Sequence, residues 1–360
     1  MKVALVYDRV NKWGGAERLL LTLHEIFPQA PLYTAVYSPN KAPWAKVFSK
    51  VIPSFLQKIP FMKTRHEALG TFTPIAFEQF GFTDYDLVIS IASESAKGII
   101  VRPPTKHVCI MLTPTRYLWS GYKEYFKNPL FRIISWPAIL YLRYWDKIAA
   151  QRADKVIAIS SGVKDRIKKY YGRESSVVHP PVELTKFNNQ KVKPLKKNYY
   201  LVVSRLVEYK RVDLAIKTFN KLNLPLIVIG IGVQERALKL MAKSNITFLK
   251  NDLTEKDLAR YYQSARALIM PQIEDFGLVS VEAQAAGTPV IAYNKGGARD
   301  TVIDGETGMF FKNQTVSSLT EAVQRFEKIK FDKKIIKKNS EKFSKERFKR
   351  KIKHIVNKII

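Results

Sequence analysis

Short uninterrupted apolar runs, each followed by a polar or glycine-bearing stretch and then by a helical period, recur along this chain. Residues 2–7 (KVALVY) lead into Gly14-Gly15 and then into apolar positions Leu19, Leu20, Leu23 and Ile26, which reads as strand, loop and helix. Further runs at 87–91, 108–112 and 156–159 are spaced widely enough for crossover helices, so a parallel sheet buried on both faces is predicted. From Pro180-Pro181 to Leu195 the chain turns polar and basic without a period, as a linker does. The alternation then restarts, with strands at 199–204, 226–231, 246–249, 267–270 and 290–293 and helices at 214–222, 257–264 and 279–286. The fold class is α/β. Two domains are expected, 1–190 and 191–331, followed by a helical stretch over 332–360. In that stretch Ile335, Ile336, Phe343, Phe348, Ile352, Ile355, Val356 and Ile359 recur at helical spacing, leaving the lysines outward.

Length agrees with two domains, because 360 residues exceed what one core usually organises. An apolar share of 46% with 26% charged residues excludes a disordered chain or a disulfide scaffold. Charge adds something the pattern does not: 61 Lys and Arg against 31 Asp and Glu give +30, a field that attracts nucleic acid, an anionic membrane surface or a phosphorylated substrate. The single Cys109 forms no internal bridge and no cleavable leader opens the chain, so a cytoplasmic protein is expected, peripheral on the membrane at most. The longest lipid-like segment, 133–142, is flanked by Arg132 and Arg143 and contains Pro137; a membrane-spanning helix needs roughly 20 residues.

Candidate chemistry concentrates in residues 271–311. Glu274 falls on the loop leaving a strand and Glu282, eight positions on, inside the next helix, so both carboxylates can serve one site at the carboxyl edge of the sheet. A carboxylate accepts hydrogen bonds from a pair of sugar hydroxyls, and the Phe276-Gly277-Leu278-Val279 amides open a helix. An isolated pair of this kind is also what a helix cap and a solvated glutamate look like.

The wider pattern resembles glycosyltransferase family 4, retaining nucleotide-sugar enzymes whose GT-B fold sets two Rossmann-like domains across a cleft. The resemblance rests on the Glu274/Glu282 pair, on Gly287-Thr288-Pro289-Val290-Ile291-Ala292, and on Gly296-Gly297 followed by Asp304-Gly305-Glu306-Thr307-Gly308. Ser204-Arg205-Leu206 with Lys210 is similar to the family's diphosphate clamp, whose cations stabilise charge building on the leaving phosphate. Gly14-Gly15-Ala16-Glu17-Arg18 looks like its glycine loop near the donor phosphate or the acceptor. Ala96-Lys97-Gly98, Lys106-His107-Val108 and Thr113-Pro114-Thr115-Arg116-Tyr117-Leu118-Trp119 resemble a bacterial subgroup of O-antigen and exopolysaccharide mannosyltransferases that use GDP-mannose.

What the resemblance implies is transfer of a hexosyl group from a nucleotide sugar to a glycan or lipid-linked glycan, with the nucleotide sugar as co-substrate and neither cofactor nor metal. Catalysis would fall to Glu274, Arg205 and Lys210. Donor contacts would come from Gly14, Gly15, Ser204, Arg205, Lys210, Glu274, Phe276, Gly277, Leu278, Val279 and Glu282, with Arg116 touching donor or acceptor. The final helical stretch would cross back to the first domain. One departure stands out: the subgroup reads His-Thr-Pro where this chain reads Leu112-Thr113-Pro114, and His107, within a strand, reads as a structural histidine. A catalytically silent nucleotide-sugar binder, or a polyanion-binding protein using the +30 charge, are the alternatives, although no nucleic-acid-binding signature is present and nucleic acid is not an expected partner.

Three lesser signals complete the reading. Asp84-Tyr85-Asp86 matches the D-x-D of metal-dependent glycosyltransferases but lies in the first domain, before a strand. Gly230-Ile231-Gly232 begins like a dinucleotide fingerprint and lacks its third glycine. From Arg116 to Trp145 aromatic residues alternate with Lys123, Lys127, Arg132 and Arg143, a pattern that suits either a lipid headgroup layer or an aromatic core helix.

Overall fold

The computed structural model describes residues 1–59, 71–188, 195, 198–249 and 253–360. They form two compact units, Met1–His179 with Phe348–Ile360, and Pro180–Arg347.

The first unit is built on a seven-stranded sheet in the order β3-β2-β1-β4-β5-β6-β7, parallel throughout. Its centre comprises β1 (Val3–Tyr7), β4 (Leu87–Ala92) and β5 (Lys106–Met111), flanked by β2 (Leu32–Thr34), β3 (Val51–Pro53), β6 (Lys155–Ala158) and β7 (Ser176–Val177). Every residue of β1 and β4 is buried, as continuous apolar runs require when helices cover both faces. The long helix here, Trp136–Ala149, starts with Pro137 in its first turn, where a missing N–H costs nothing. The lipid-like segment 133–142 is accordingly interrupted, one helix ending at Ile134 and this one beginning at Trp136. Helix Ser161–Tyr171 is capped by the Ser160 hydroxyl, which accepts from the Val163 amide at 3.1 Å, and ends on Gly172 in the left-handed region.

The second unit repeats the design with six parallel strands in the order β10-β9-β8-β11-β12-β13: β8 (Tyr200–Val203), β9 (Leu226–Ile229), β10 (Ile246–Leu249), β11 (Leu268–Met270), β12 (Val290–Tyr293) and β13 (Gly308–Phe311). Alternate residues of each strand feed separate cores. Tyr200, Val202, Val228 and Ile291 pack with helices Val212–Leu222 and Val316–Phe326. Leu201, Ile229, Leu268 and Ala292 pack with helices Glu255–Ser264 and Leu278–Ala285. Two Rossmann-like α/β units are thus present, each with a reversal of strand order at its centre, β1 beside β4 and β8 beside β11.

The expected boundary between 190 and 191 falls outside the described residues, and the units divide at Pro180. The C-terminal stretch is two helices, Lys333–Ser340 and Lys345–Asn357, separated by a short turn at Glu341–Phe343. Residues 332–347 remain with the second unit, and only Phe348–Ile360 joins the first, where Lys349 pairs with Glu25 at 2.8 Å. Ile336, Phe343, Phe348, Ile352 and Val356 are buried as the period requires, whereas Ile335 is exposed.

Candidate functional site

Open α/β sheets bind ligands beyond the carboxyl ends of the strands that flank the reversal of order. In the second unit those ends are Ser204 onward and Pro271 onward. After β8 the chain runs through Ser204, Arg205 and Leu206 into a short turn, Glu208–Lys210. Gly230 and Gly232 support this loop from behind. A Cβ on Gly230 would sit 1.8 Å from the Ser204 carbonyl oxygen, and one on Gly232 2.2 Å from that of Leu206. The glycine pair that began like a dinucleotide fingerprint thus lets two backbones touch, with Leu206 donating to the Ile231 carbonyl at 2.9 Å.

After β11 the chain carries Gln272 and Glu274 and enters helix Leu278–Ala285 through Gly277, whose φ of 91° only glycine adopts without strain. Gly296 and Gly297 clasp this loop: the Gly297 amide donates to the Glu274 carbonyl at 2.8 Å. A Cβ on Gly296 would meet that same oxygen at 2.3 Å.

These two loops bring Lys210 and Glu274 into an ion pair, 64 positions apart in sequence and largely shielded from water. The Gln272 side-chain amide donates to the same Glu274 oxygen at 2.8 Å. Arg205 is exposed and donates to the Tyr209 hydroxyl; its guanidinium and the Lys210 ammonium lie 5.9 and 5.3 Å from the Tyr209 ring centre. Two cations on one ring beside a held carboxylate can receive an anionic group and a polyol together.

The other expected site residues divide. Glu282 is in the second turn of its helix and only 3% exposed; its carboxylate accepts from the Tyr262 hydroxyl at 3.0 Å. The Phe276 side chain is core, edge-on to Phe343 at 5.5 Å, so what it offers a ligand is backbone. Leu278 and Val279 occupy the first helical turn, whose amides have no intrahelical acceptor. The Ser204 hydroxyl donates to the Arg205 carbonyl at 3.2 Å.

In the first unit, Gly14 and Gly15 open helix Gly15–Ile26, but Gly14 is extended at φ −179°, a conformation open to any residue. Its lack of a side chain serves spacing: a Cβ there would come 3.1 Å from the Glu17 carboxylate, which is buried and accepts from Tyr7. Arg116 is half-buried in the turn after β5, and Leu112 continues the β5 register by donating to Ala92 at 2.8 Å. His107 lies within β5 against the Ser90 hydroxyl at 2.8 Å, with burial pushing its pKa down to about 3. Asp84-Tyr85-Asp86 sits at the amino edge of the sheet, where Asp86 accepts from the Lys2 amide at 2.6 Å. Among the described residues no cluster of three His, Cys, Asp or Glu is placed to hold a metal.

Sequence reading missed three features. Tyr209 is adjacent to Lys210 and Gln272 precedes Glu274 by two, so proximity to the motif is their only signal. The third is a fully buried ion pair, Lys97 with Asp146 at 2.5 Å, into which Thr115, Trp119 and Tyr171 also donate. Nothing in the spacing of residues 97 and 146 announces it.

Residues 185–343 match the family model of glycosyl transferases group 1. The O-antigen chain mannosyltransferase RfbU of Salmonella typhimurium is 29% identical over 208 residues, 52% of this chain and 58% of that protein. The chain thus spans little more than half the length of this curated relative. Among solved structures, the sucrose-phosphate synthase of Thermosynechococcus elongatus superposes with a TM-score of 0.75 at 17% identity, covering 100% of this chain and 99% of that one. The lipopolysaccharide outer core galactosyltransferase WaaB superposes with a TM-score of 0.72 at 18% identity over 100% of both chains. The fold is that of the GT-B glycosyltransferases, and over residues 185–343 the comparisons support the family of glycosyl transferases group 1.

Proposed function

We propose that the protein moves a hexosyl group, mannose from GDP-mannose, onto a glycan or lipid-linked glycan acceptor of a bacterial surface polysaccharide, with retention at the anomeric carbon. The observation that carries this reading is the assembly of Arg205, Lys210 and Glu274 by two loops at the strand-order reversal of the second unit. Arg205 and Lys210 hold the diphosphate, Glu274 a sugar hydroxyl, the first-turn amides at Leu278 and Val279 the sugar and phosphate, and Glu282 the ribose. Lys210 and Glu274 neutralise each other before the donor arrives; the diphosphate then takes the lysine and frees the carboxylate for the sugar.

As the bond between the anomeric carbon and the phosphate oxygen breaks, its electron pair stays on the leaving nucleotide, where the two cations stabilise the growing charge. The acceptor oxygen bonds the anomeric carbon on the same face. Its proton passes to the departing phosphate, so no enzyme base is required. The relative RfbU, an O-antigen mannosyltransferase by name, favours mannose and a surface-polysaccharide acceptor.

Incubation with GDP-mannose, UDP-glucose and UDP-galactose across a panel of glycan acceptors, with proton NMR of the product, tests this directly. An α-mannoside formed from GDP-mannose agrees with the proposal; an inverted product or exclusive use of a UDP-sugar contradicts it. Leu112, standing where the subgroup carries histidine, favours a second reading, a nucleotide-sugar binder without turnover, whose signature is donor binding with neither transfer nor hydrolysis.

A further inference from the structure

Helices Pro129–Ile134 and Trp136–Ala149 of the first unit leave an unusual surface to solvent. Along the second helix Trp136, Leu140, Tyr144 and Ile148 are exposed at intervals of four, one continuous stripe. The preceding helix adds Ile133 and Ile134; Ile133 and Tyr144 are each 70% exposed. Apolar side chains so closely grouped on a soluble unit mark a binding face.

The opposite stripe fixes this orientation. Ile139, Leu142, Trp145 and Asp146 are buried, and Asp146 is tied to Lys97, Thr115, Trp119 and Tyr171. The outer face therefore cannot roll inward without breaking a buried ion pair.

Charge decides what covers it. Lys127, Arg132 and Lys147 are exposed around the stripe, and no acidic residue lies between Glu124 and Asp146. Asp146 itself is buried and paired, so its charge does not reach the surface. A second copy would bring the same cations against these, and at +30 per chain that juxtaposition is repulsive. Tryptophan, tyrosine and branched aliphatics ringed by cations match the headgroup layer of an anionic membrane. No described helix is long and apolar enough to cross a membrane, which leaves a helix lying in the plane of the interface.

We propose that the outer stripe of these two helices docks the protein on an anionic lipid bilayer. The proposal goes beyond the donor reading and does not depend on it.

The test is co-sedimentation of the full chain with phosphatidylcholine vesicles, with and without phosphatidylglycerol, without nucleotide or glycan. The protein should pellet with the anionic vesicles and be released by salt. Ile133→Asp with Tyr144→Asp should weaken binding about tenfold or more, and Lys127→Gln, Arg132→Gln and Lys147→Gln about fivefold per cation removed. Thermal melting of each variant should match wild type; if the aspartates disturb folding, the exposed lysine and arginine replacements carry the test alone. A wild-type protein that stays in solution with both vesicle types, or variants that pellet as it does, overturns the proposal. So does a lipid-free dimer, seen by sedimentation velocity, that Ile133→Asp dissociates.

Discussion

Replacing Lys97 by methionine removes one charge from the buried pair while keeping the apolar stem. Both partners are 1% exposed and 2.5 Å apart, so the loss strands the Asp146 carboxylate inside the first unit. Breaking a buried pair in this way costs about 3–5 kcal/mol. Three donors remain on Asp146, from Thr115 at 2.8 Å, Trp119 at 2.7 Å and Tyr171 at 2.6 Å, which places the expected cost at the lower end, about 3 kcal/mol. For a unit of this size that is a fall in Tm of roughly 6–12 °C. Asp146→Asn should cost a similar amount, because it strands the ammonium instead. The double variant removes both charges together and should fall short of the summed costs by about 2 kcal/mol. All five tryptophans, Trp13, Trp44, Trp119, Trp136 and Trp145, belong to the first unit, so urea unfolding followed by tryptophan fluorescence reads this unit selectively. A single variant costing under about 1 kcal/mol, or strict additivity in the double variant, refutes the reasoning.

Three further outcomes are expected. His107 is held neutral by burial with a pKa of about 3, against about 6.5 in the unfolded chain, so below pH 6.5 the unfolded state binds a proton the native state refuses. Its contribution to stability is lost as pH falls from 6.5 toward 3, about 2 kcal/mol by pH 5; the urea midpoint should drop between pH 7 and 5 in wild type and less in His107→Val, and equal drops would contradict this. Gly296→Ala places a Cβ 2.3 Å from the Glu274 carbonyl at φ 65°, so the clasp must open, with a loss of order 2 kcal/mol by far-UV circular dichroism and weaker nucleotide binding. Tyr209→Ala removes the ring under both cations and should weaken nucleotide binding about fivefold, with Tyr209→Phe intermediate, as isothermal titration would show.

Strands buried on both faces were the most legible part of the chain, because a parallel sheet between two helix layers leaves an uninterrupted apolar run. Residues 290–293 agree with the structure to the residue, and β1, β4, β5, β6, β8, β9 and β11 to within two at either end; the edge strand at 246–249 also agrees to the residue, although Thr247 is exposed and interrupts its apolar run. The strands β2, β3 and β7 were missed because two or three residues cannot establish a period, and the four-residue β13, which opens on Gly308, was missed as well. Pro137 did mark a break in the 133–142 segment, where one helix ends at Ile134 and the next starts at Trp136 with the proline in its first turn. The final stretch kept one apolar period through a break at Glu341–Phe343, and the division between units falls later, between Arg347 and Phe348 inside the last helix.

Within the site, Lys210 and Glu274 were nameable from their motifs, but their contact was not, since it depends on β8 and β11 being neighbours. The depth of Glu282 was equally illegible: helical spacing gives a direction and Tyr262 supplies the cover, from a helix 20 positions away.

The central claim is that Arg205 and Lys210 hold the diphosphate of a nucleotide sugar, and isothermal titration of GDP and GDP-mannose into wild type, Arg205→Ala and Lys210→Ala tests it most directly. The account predicts binding by wild type and losses of about a hundredfold in each variant, as removal of a charge-assisted contact implies, with thermal melting of the second unit retained. Variants that bind either ligand as tightly as wild type would contradict it.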